Sequence, residues 1–515
     1  RTIGAALGRI LLVVAGASLL PMAWALIGAE WHPFGSFLLM SGVFALAGSV
    51  LLSVSLQPTR SISADQRHLD WSHGMVVVAV TWIAVPLIGA IPLWLSGHYG
   101  SPLDAYFDAM SGLSTTGLAL VQDLDHLASS LNFWRHLLHF LGGQGIIIAA
   151  LVLFAGRGVT TLFAGEGRDD RMLPSVQSTA KAIWAVSVLH LMIGVGALAV
   201  VAYAALGFDP IRSLFHGLMI FFAAFDTGGF APQSTSLGYY HSAAFEAVTS
   251  VLMVAGTLSF GLHFRLWSRA GRRSRERVPF RAGAGGAGAR WSVLRSLEVR
   301  TILTTFGMTM VLTLFGLAAL GMYASVGGLS RQGFFQILSA HTGTGFTTVP
   351  SSELALWGGM AFGGMAMAMA LGGMASSTAG GVKALRVGLV VRAIRDEVKG
   401  DLLPESALVD DSYYQFGKHR LTSDVARSAM FVSFLFVVLF LVGAGVGLAY
   451  DIPLQRALFE SVSAGASVGL SVGVTSPTMP VLLKITYILE MLLGRLEFIA
   501  VFVLIGFVHS WIRGR

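Results

Sequence analysis

The chain has 515 residues, no cysteine, 54% hydrophobic and only 12% charged residues, and a formal charge of +7; its mean hydropathy is +0.72. About half the charge of an average soluble protein is missing, and so much apolar surface finds a place only in a bilayer. This excludes a disulfide scaffold, a cysteine-based metal centre, a disordered chain and a large soluble catalytic domain.

In chain order, apolar stretches occupy 10–29, 34–56, 73–97, 133–155, 179–206, 242–267, 301–325, 353–382, 425–450 and 481–510. Each is long enough for the ~20 residues of a helical span. If every stretch crosses, 28 of the 34 Lys and Arg fall on the side of the N-terminus, ten of them within 265–300. Only Arg135, Arg212, Arg331, Arg456 and Lys484 fall on the other side, and Arg495 lies within a span. By the positive-inside rule both termini are cytoplasmic. Ala23-Trp24-Ala25 imitates a signal cleavage site. The apolar run before it exceeds a signal core of about 7–15 residues and a second span follows at once, so a retained helix is expected. Residues 1–72 therefore read as a two-helix prefix, closed by the polar segment 57–72.

Beyond the prefix, four segments share one form: a short apolar stretch, then small hydroxyl residues, then Gly followed by Leu or Phe. They are Phe107-Asp108 to Ser114-Thr115-Thr116-Gly117-Leu118, a second ending Asp226-Thr227-Gly228-Gly229-Phe230, Phe335-Gln336 to Thr342-Gly343-Thr344-Gly345-Phe346, and Phe459-Glu460 to Ala466-Ser467-Val468-Gly469-Leu470. Pro102, Pro210 and Pro453 open three of the short stretches, where a helix tolerates proline. This is an internal fourfold repeat: repeat 1 over 73–178, repeat 2 over 179–299, repeat 3 over 300–424 and repeat 4 over 425–515. Each repeat reads span, half-helix, extended loop, span, and begins and ends on the same side. The copies are then related by an axis along the membrane normal. The expected fold is an all-α polytopic membrane protein, with four M1–P-loop–M2 units in pseudo-fourfold arrangement around a central pore.

Non-helical backbone at membrane depth belongs where it lines a watery path. Small residues let carbonyls turn inward and replace an ion's hydration shell, and half-helix C-termini favour a cation there. The expected filter residues are Thr115, Thr116 and Gly117; Thr227, Gly228 and Gly229; Gly343, Thr344 and Gly345; and Ser467, Val468 and Gly469. In repeat 3, Gly372-Gly373-Met374-Ala375-Ser376-Ser377-Thr378-Ala379-Gly380-Gly381-Val382-Lys383 reads as a span broken at mid-membrane by a flexible polar stretch. Arg495 costs at least about 2.5 kcal/mol within a span, so it should face water or an acid; Glu490 and Glu497 are candidate partners.

Ser114-Thr115-Thr116-Gly117, Thr342-Gly343-Thr344-Gly345-Phe346, Gly142-Gly143-Gln144-Gly145 and Leu493-Gly494-Arg495-Leu496-Glu497 together resemble the Trk/Ktr/HKT superfamily of potassium transporters over the whole chain. The two-helix prefix makes it most similar to the bacterial TrkH branch. The resemblance implies K⁺ ions in the filter with no covalently bound cofactor, a homodimer, and a cytosolic TrkA-like nucleotide-binding regulatory subunit. It also implies a bacterial cytoplasmic (inner) membrane, with lipid around the chain and no nucleic-acid partner. The Gly372–Lys383 segment becomes an intramembrane gate, of Gly372, Gly373, Ala375, Ser376, Ser377, Thr378, Gly380, Gly381 and Lys383, and Arg495 a cation barrier in the path. Asp226 departs from the family's uncharged residue and is expected at the filter mouth.

Other motifs carry less. Gly465-Ala466-Ser467-Val468-Gly469 matches a hydrolase elbow but lacks its strand-to-helix setting, and of the histidines only His509 follows it; no enzyme is expected. Gly283-Ala284-Gly285-Gly286-Ala287-Gly288 follows the basic run Arg272–Arg281 and reads as a linker. His341 reads as a packing residue. The expected function is gated, selective K⁺ uptake, with a Na⁺- or H⁺-coupled symporter of the same fold as the alternative.

Overall fold

The computed structural model describes residues 1–56, 71–145, 176–267, 293–323, 325–402, 404 and 412–514. The segment 57–70, the basic run Arg272–Arg281, the glycine stretch Gly283–Gly288 and the first repeat's second span beyond 145 lie outside the described residues.

The prefix is α1 (Thr2–Ala17), α2 (Leu19–Ile27) and α3 (Trp31–Leu56). Helices α1 and α3 cross where Gly8 meets Gly48. A Cβ on either would stand 2.7 or 2.8 Å from the other's carbonyl oxygen, closer than real contacts allow. Between α2 and α3 the Glu30 carboxylate reaches the first repeat. It accepts from the Ser129 and Ser130 amides at 2.9 and 3.0 Å and from both serine hydroxyls. Those amides begin α7 (Ser129–Gln144), so an acid from the prefix caps a helix N-terminus in the repeat domain.

Repeat 1 runs α4 (Trp71–Gly89), α5 (Ile91–Leu95), α6 (Pro102–Leu113) and α7. Repeat 2 runs α8 (Val176–Leu206), α9 (Pro210–Phe225), α10 (Ala243–Thr257) and α11 (Phe260–Trp267). Repeat 3 has α12 (Leu297–Leu320), α13 (Val326–His341), α14 (Ser351–Leu354), α15 (Gly359–Ala370) and α16 (Ala384–Leu402). A hairpin of β1 (Ser412–Tyr414) and β2 (Lys418–Arg420) follows, an addition to the expected all-α fold. Repeat 4 runs α17 (Ser423–Leu448), α18 (Leu454–Gly465), α19 (Val481–Arg495) and α20 (Ile499–Ile512).

The half-helices α6, α9, α13 and α18 hold 12, 16, 16 and 12 residues. At about 1.5 Å per residue none reaches across a ~30 Å hydrocarbon core. Ser101, Asp209 and Ser325 cap the first three, with Pro102 and Pro210 just inside; in the fourth, Pro453 is itself the cap position.

The first spans of repeats 2, 3 and 4 are single helices and that of repeat 1 is interrupted only at Ala90, but the second spans of repeats 2 and 4 are not the unbroken helices expected from hydropathy. Leu258 and Ser259 interrupt repeat 2, 371–383 interrupts repeat 3, and α19 and α20 meet at 107°. Only the repeat 3 break was legible from composition. At the other two, a second-span glycine lies against the last carbonyl of its own half-helix: a Cβ on Gly256 would overlap the Phe225 oxygen, and one on Gly494 the Gly465 oxygen. Gly142 makes the same approach to Leu113 in repeat 1.

Packing between repeats is cyclic. Helix α7 lies on α9, α10 on α13, α15 on α18, and α19 back on α6, so each second span supports the next repeat's half-helix. The result is the pseudo-fourfold arrangement, wrapped outside by helices whose apolar side chains, such as Met192, Val200, Val311, Val437 and Leu441, remain exposed as lipid contacts require.

Two of these junctions carry ion pairs of opposite sense. Arg331 on α13 pairs with Glu246 on α10 at 2.6 Å, and Lys484 on α19 with Asp104 on α6 at 2.5 Å. The second pair is buried, with side chains 7% and 2% exposed, whereas Arg331 is 49% exposed. Asp104→Ala should therefore cost about 3–5 kcal/mol by stranding a buried ammonium, and Glu246→Ala no more than about 1 kcal/mol. Thermal denaturation followed by size-exclusion chromatography checks the difference, and equal losses would mean that the two junctions are equally wet.

Candidate ion pathway

Each half-helix ends by wrapping tightly before the chain turns outward. The amides of Thr116, Gly228, Thr344 and Val468 donate to carbonyls five residues back, at Ser111, Ala223, Ser339 and Ser463, over 2.8–3.0 Å. In repeats 1 and 4 the next amides, of Gly117 and Gly469, donate at 3.0 Å to the Ser111 and Ser463 hydroxyls. The donors of the loop are thus consumed on its helix side.

The backbone conformation repeats as well. Thr115, Thr227, Gly343 and Ser467 have φ of 55°, 50°, 73° and 54°, and Gly117, Gly229, Gly345 and Gly469 have φ of 92°, 74°, 86° and 92°. The residue between each pair does not share the left-handed region. Such alternation turns successive peptide groups the same way instead of to opposite faces. Three non-glycine residues accept the left-handed strain, which marks the loops as over-determined by their surroundings.

The four loops close on one another. A Cβ on Gly117 would overlap the Gly228 carbonyl oxygen, one on Gly229 that of Thr344, one on Gly345 that of Val468, and one on Gly469 that of Thr116. Each repeat's third loop residue therefore sits against the middle carbonyl of the next repeat, and the fourth returns to the first. The same glycines border a vestibule of about 240 Å³, with Leu118, Phe230 and Leu470 beside them.

On the opposite side of this ring lies the broken span of repeat 3. It is less slack than its glycines suggest. A parallel bridge between Leu371 and Val382 closes its neck: Gly372 N–H donates to Val382 O at 2.9 Å, and Ala384 N–H to Gly373 O at 3.0 Å. The Thr378 hydroxyl bonds the Phe225 and Gly256 carbonyls, each at 2.9 Å. Ser377 turns back to Met374 O at 2.6 Å, the Ala375 amide donates to Glu298 at 2.5 Å, and Ser376 O accepts from the Phe260 amide at 3.2 Å. Gly380 lies so close to Ala466 and Ser467 that a Cβ would overlap the Ala466 carbonyl, Gly381 adopts φ 70°, and the Lys383 ammonium bonds the Ala379 carbonyl. The loop is a closed, pinned structure beneath Thr227, Gly343 and Ser467, the first loop residues of repeats 2, 3 and 4.

Arg495 ends α19 at the bend and meets this loop. Its guanidinium donates to Thr378 O at 2.7 Å and to Gly142 O at 2.8 Å, tying the loop to the second span of repeat 1. Glu490 accepts from Ser461 at 2.6 Å, and Glu497 pairs with Arg386. The space left among Gly142, Ala379, Gly380, Lys383, Gly494 and Arg495 is about 20 Å³, room for about one water.

Asp226 is not at the mouth. It follows α9 at the loop-facing end of its segment, is fully buried, and accepts from Gln144 Nε2 at 2.8 Å, while Gln144 accepts from the Ser187 hydroxyl at 2.6 Å. Its carboxylate lies against Gly143, where a side chain would overlap it, and it borders neither the vestibule nor the space beside Arg495. A half-helix enters the ring from its C-terminus, so the residue before each triplet is the deep one, and Gln144 and Gly143 fix the direction of the Asp226 side chain there. Asp226→Asn should consequently leave apparent K⁺ affinity within about twofold at low ionic strength. Rubidium uptake at two ionic strengths checks this, and a loss confined to low salt would return the carboxylate to the mouth.

Supporting residues were missed by motif reading. His139 on α7 donates from Nδ1 to Gly112 O at 2.7 Å, accepts from the Phe230 amide at Nε2 over 3.3 Å, and packs so closely on Gly228 that a Cβ there would stand 2.6 Å from its ring. Asp108 accepts from Arg135 Nε at 2.6 Å, from the Tyr99 hydroxyl at 2.9 Å and from the Leu120 amide at 3.3 Å. Asp108 had a sequence signal, since it directly follows the repeat's Phe. His139 had none. His341, beside the third loop, bonds the Thr305 hydroxyl at 2.9 Å.

The family model described as TrkH, cation transport protein, matches residues 41–509. Over 500 residues the chain is 27% identical to an uncharacterized cation transporter of Methanocaldococcus jannaschii, covering 97% of this chain and 94% of that one. It is 26% identical over 518 residues to the Trk system potassium uptake protein TrkH of Halomonas elongata, covering 97% and 96%. The same identity holds over 451 residues with TrkH of Escherichia coli, covering 85% and 86%. The crystal structure of the potassium transporter TrkH from Vibrio parahaemolyticus has the same fold, with a TM-score of 0.77 over 98% of both chains at 23% identity.

Proposed function

This chain belongs to the TrkH family of cation transport proteins, and from that premise we propose that it is a K⁺-selective pore for uptake across the bacterial cytoplasmic membrane. It is a multi-pass transport protein and not an enzyme. The observation that carries the proposal is the closed ring in which each loop glycine abuts the next repeat's carbonyl. Four segments whose amides are spent on their own half-helices, and whose peptides alternate in handedness, have carbonyls left to replace the hydration shell of K⁺. The half-helix C-termini add a favourable potential beneath them. The relatives named Trk system potassium uptake proteins support K⁺ as the cargo.

The pinned loop at 372–381 and Arg495 then form the gate, the loop by bulk and the guanidinium by charge. The residual space of about 20 Å³ is too small for a hydrated cation. Influx follows the inside-negative potential, about 2.3 kcal/mol per charge per 100 mV. The positive-inside asymmetry supports cytoplasmic termini. The exposed Lys418, His419 and Arg420 of β2 would lie on the same cytoplasmic face, where a regulatory subunit docks.

Reconstituted protein under crossed K⁺, Na⁺ and H⁺ gradients tests the reading. A reversal potential set by K⁺ alone is expected. A reversal that follows Na⁺ or H⁺ together with K⁺ would make the protein a coupled symporter, and equal Na⁺ and K⁺ flux would remove the selective pore.

A further inference from the structure

Behind the fourth loop, Glu460 on α18 is fully buried. Its Oε1 accepts from the Ser471 hydroxyl at 2.6 Å, the Val472 amide at 2.9 Å and the Val474 amide at 3.1 Å, and its Oε2 from the Thr475 hydroxyl at 2.7 Å. One side chain thus organises the five residues 471–475, which begin two positions beyond Gly469. A carboxylate buried without such partners is strongly disfavoured, so the acid holds the segment and the segment holds the acid.

The register gives the arrangement a meaning beyond one residue. Glu460 precedes Gly469 by nine residues; Asp108 stands nine before Gly117 and Gln336 nine before Gly345. Asp108 accepts from the Leu120 amide, and Gln336 Nε2 donates to the Thr347 hydroxyl at 2.7 Å, so both reach the segment just past their own loop. In repeat 2 the position is Ile220, and the corresponding backbone is held instead by His139 and by His136, whose Nε2 meets Phe230 O at 3.1 Å. Repeats 1, 3 and 4 use the same half-helix position, and repeat 2 relies on two histidines of repeat 1 instead.

We propose that Glu460 is a positioning residue for cation discrimination, holding the Ser471–Thr475 segment by hydrogen-bond geometry and thereby fixing the Val468 and Gly469 peptides that face the ring. This rests on the K⁺-selective reading above. The role is one of hydrogen-bond geometry rather than charge, because the equivalent residue of repeat 3 is the neutral Gln336, which holds its segment by donating from Nε2. The Val468 carbonyl is the one that abuts Gly345, so a displaced fourth segment disturbs its neighbour as well.

The test uses the full chain in detergent and in proteoliposomes. Glu460→Ala should raise deuterium exchange at the Val472 and Val474 amides and lower Rb⁺ over Na⁺ discrimination roughly tenfold, the equivalent of one to two hydrogen bonds. Glu460→Gln, which retains an oxygen for the amides, should keep both properties within about twofold. Thr475→Val, paired with Thr475→Ser as the conservative control, perturbs the same clamp if Glu460→Ala fails to fold. Its loss of discrimination should be smaller and should be absent in the serine variant. The proposal is overturned if the glutamine variant is as impaired as the alanine variant, which would make the charge essential. It is also overturned if exchange rises in the folded alanine variant while discrimination is unchanged. A wild type that does not discriminate would remove the K⁺-selective reading itself, an outcome told apart because the exchange difference would persist.

Discussion

Gly345→Ser should reduce K⁺ over Na⁺ preference by about tenfold or more without loss of folded protein, and Gly117→Ser should do the same. Two costs combine at these positions. The left-handed backbone, φ 86° and 92°, penalises a side chain by roughly 1–2 kcal/mol. In addition the new Cβ would overlap the carbonyl oxygen of Val468 or Gly228, and that carbonyl is one of the groups proposed to hold the ion. The protein can relax only by moving it. A shift in carbonyl position changes the relative cost of stripping K⁺ and Na⁺, and ~1.4 kcal/mol of difference is a factor of ten. In the plant members of the superfamily that the sequence resembles, serine at the first-repeat glycine goes with Na⁺ preference, in the same direction. Gly97→Ser supplies the control: its φ is 75°, but nothing lies within 4 Å of its added Cβ. It carries the backbone strain without a displaced carbonyl and should leave preference unchanged. Competition of Na⁺ against Rb⁺ uptake measures all three variants, and a loss in Gly97→Ser equal to that in Gly345→Ser would reduce the effect to general destabilisation.

What could be read from sequence divides along the reach of the interactions. The four loops were legible because each is local: a short apolar helix, hydroxyl residues and a glycine lie within about twenty positions. The break at 372–381 was legible for the same reason, since glycine and serine accumulate there. The fourfold arrangement was expected from the repeat, but the contacts that close it were not, because Gly117 meets Gly228, and Gly469 meets Thr116, across whole repeats. The bends near Ser259 and Glu497 were hidden in apolar sequence, which has the same hydropathy whether the helix continues or turns. Only the left-handed Glu497 and Phe498, φ 50° and 69°, mark the second one. Asp226 was misplaced because its direction depends on Gln144 and Gly143, some eighty residues earlier, which make room for it and bond it. Glu30 belongs to the same class: an acid in a short turn of the prefix caps a helix about a hundred residues away.

Removing Ala375–Ala379, or replacing Arg495 by alanine, should increase K⁺ flux per folded molecule in the absence of any cytosolic partner. The two features are joined through Thr378: its hydroxyl fastens the loop to Phe225 and Gly256, and its carbonyl accepts from Arg495. Deleting the loop takes away Thr378 and with it both attachments. Arg495→Ala leaves the bulk and removes the charge. A unit charge about 8 Å from a passing cation, at an effective dielectric of about 20, raises the barrier by roughly 2 kcal/mol. The substitution should therefore raise flux by something between tenfold and a hundredfold, and Arg495→Lys, which keeps the charge, by much less. Selectivity should persist in all of them, because the glycine–carbonyl contacts that close the ring include neither a residue of 375–379 nor Arg495. The competing expectation is purely architectural. Arg495 also holds Gly142 of the first repeat, so its loss could loosen the join between repeats 1 and 3 and lower the yield of folded protein. Flux normalised to the size-exclusion monodisperse fraction separates the two, since architecture changes the yield and gating changes the flux per molecule. Normalised flux that falls in both the deletion and Arg495→Ala would remove the gate from this position and leave the loop and the arginine as a brace.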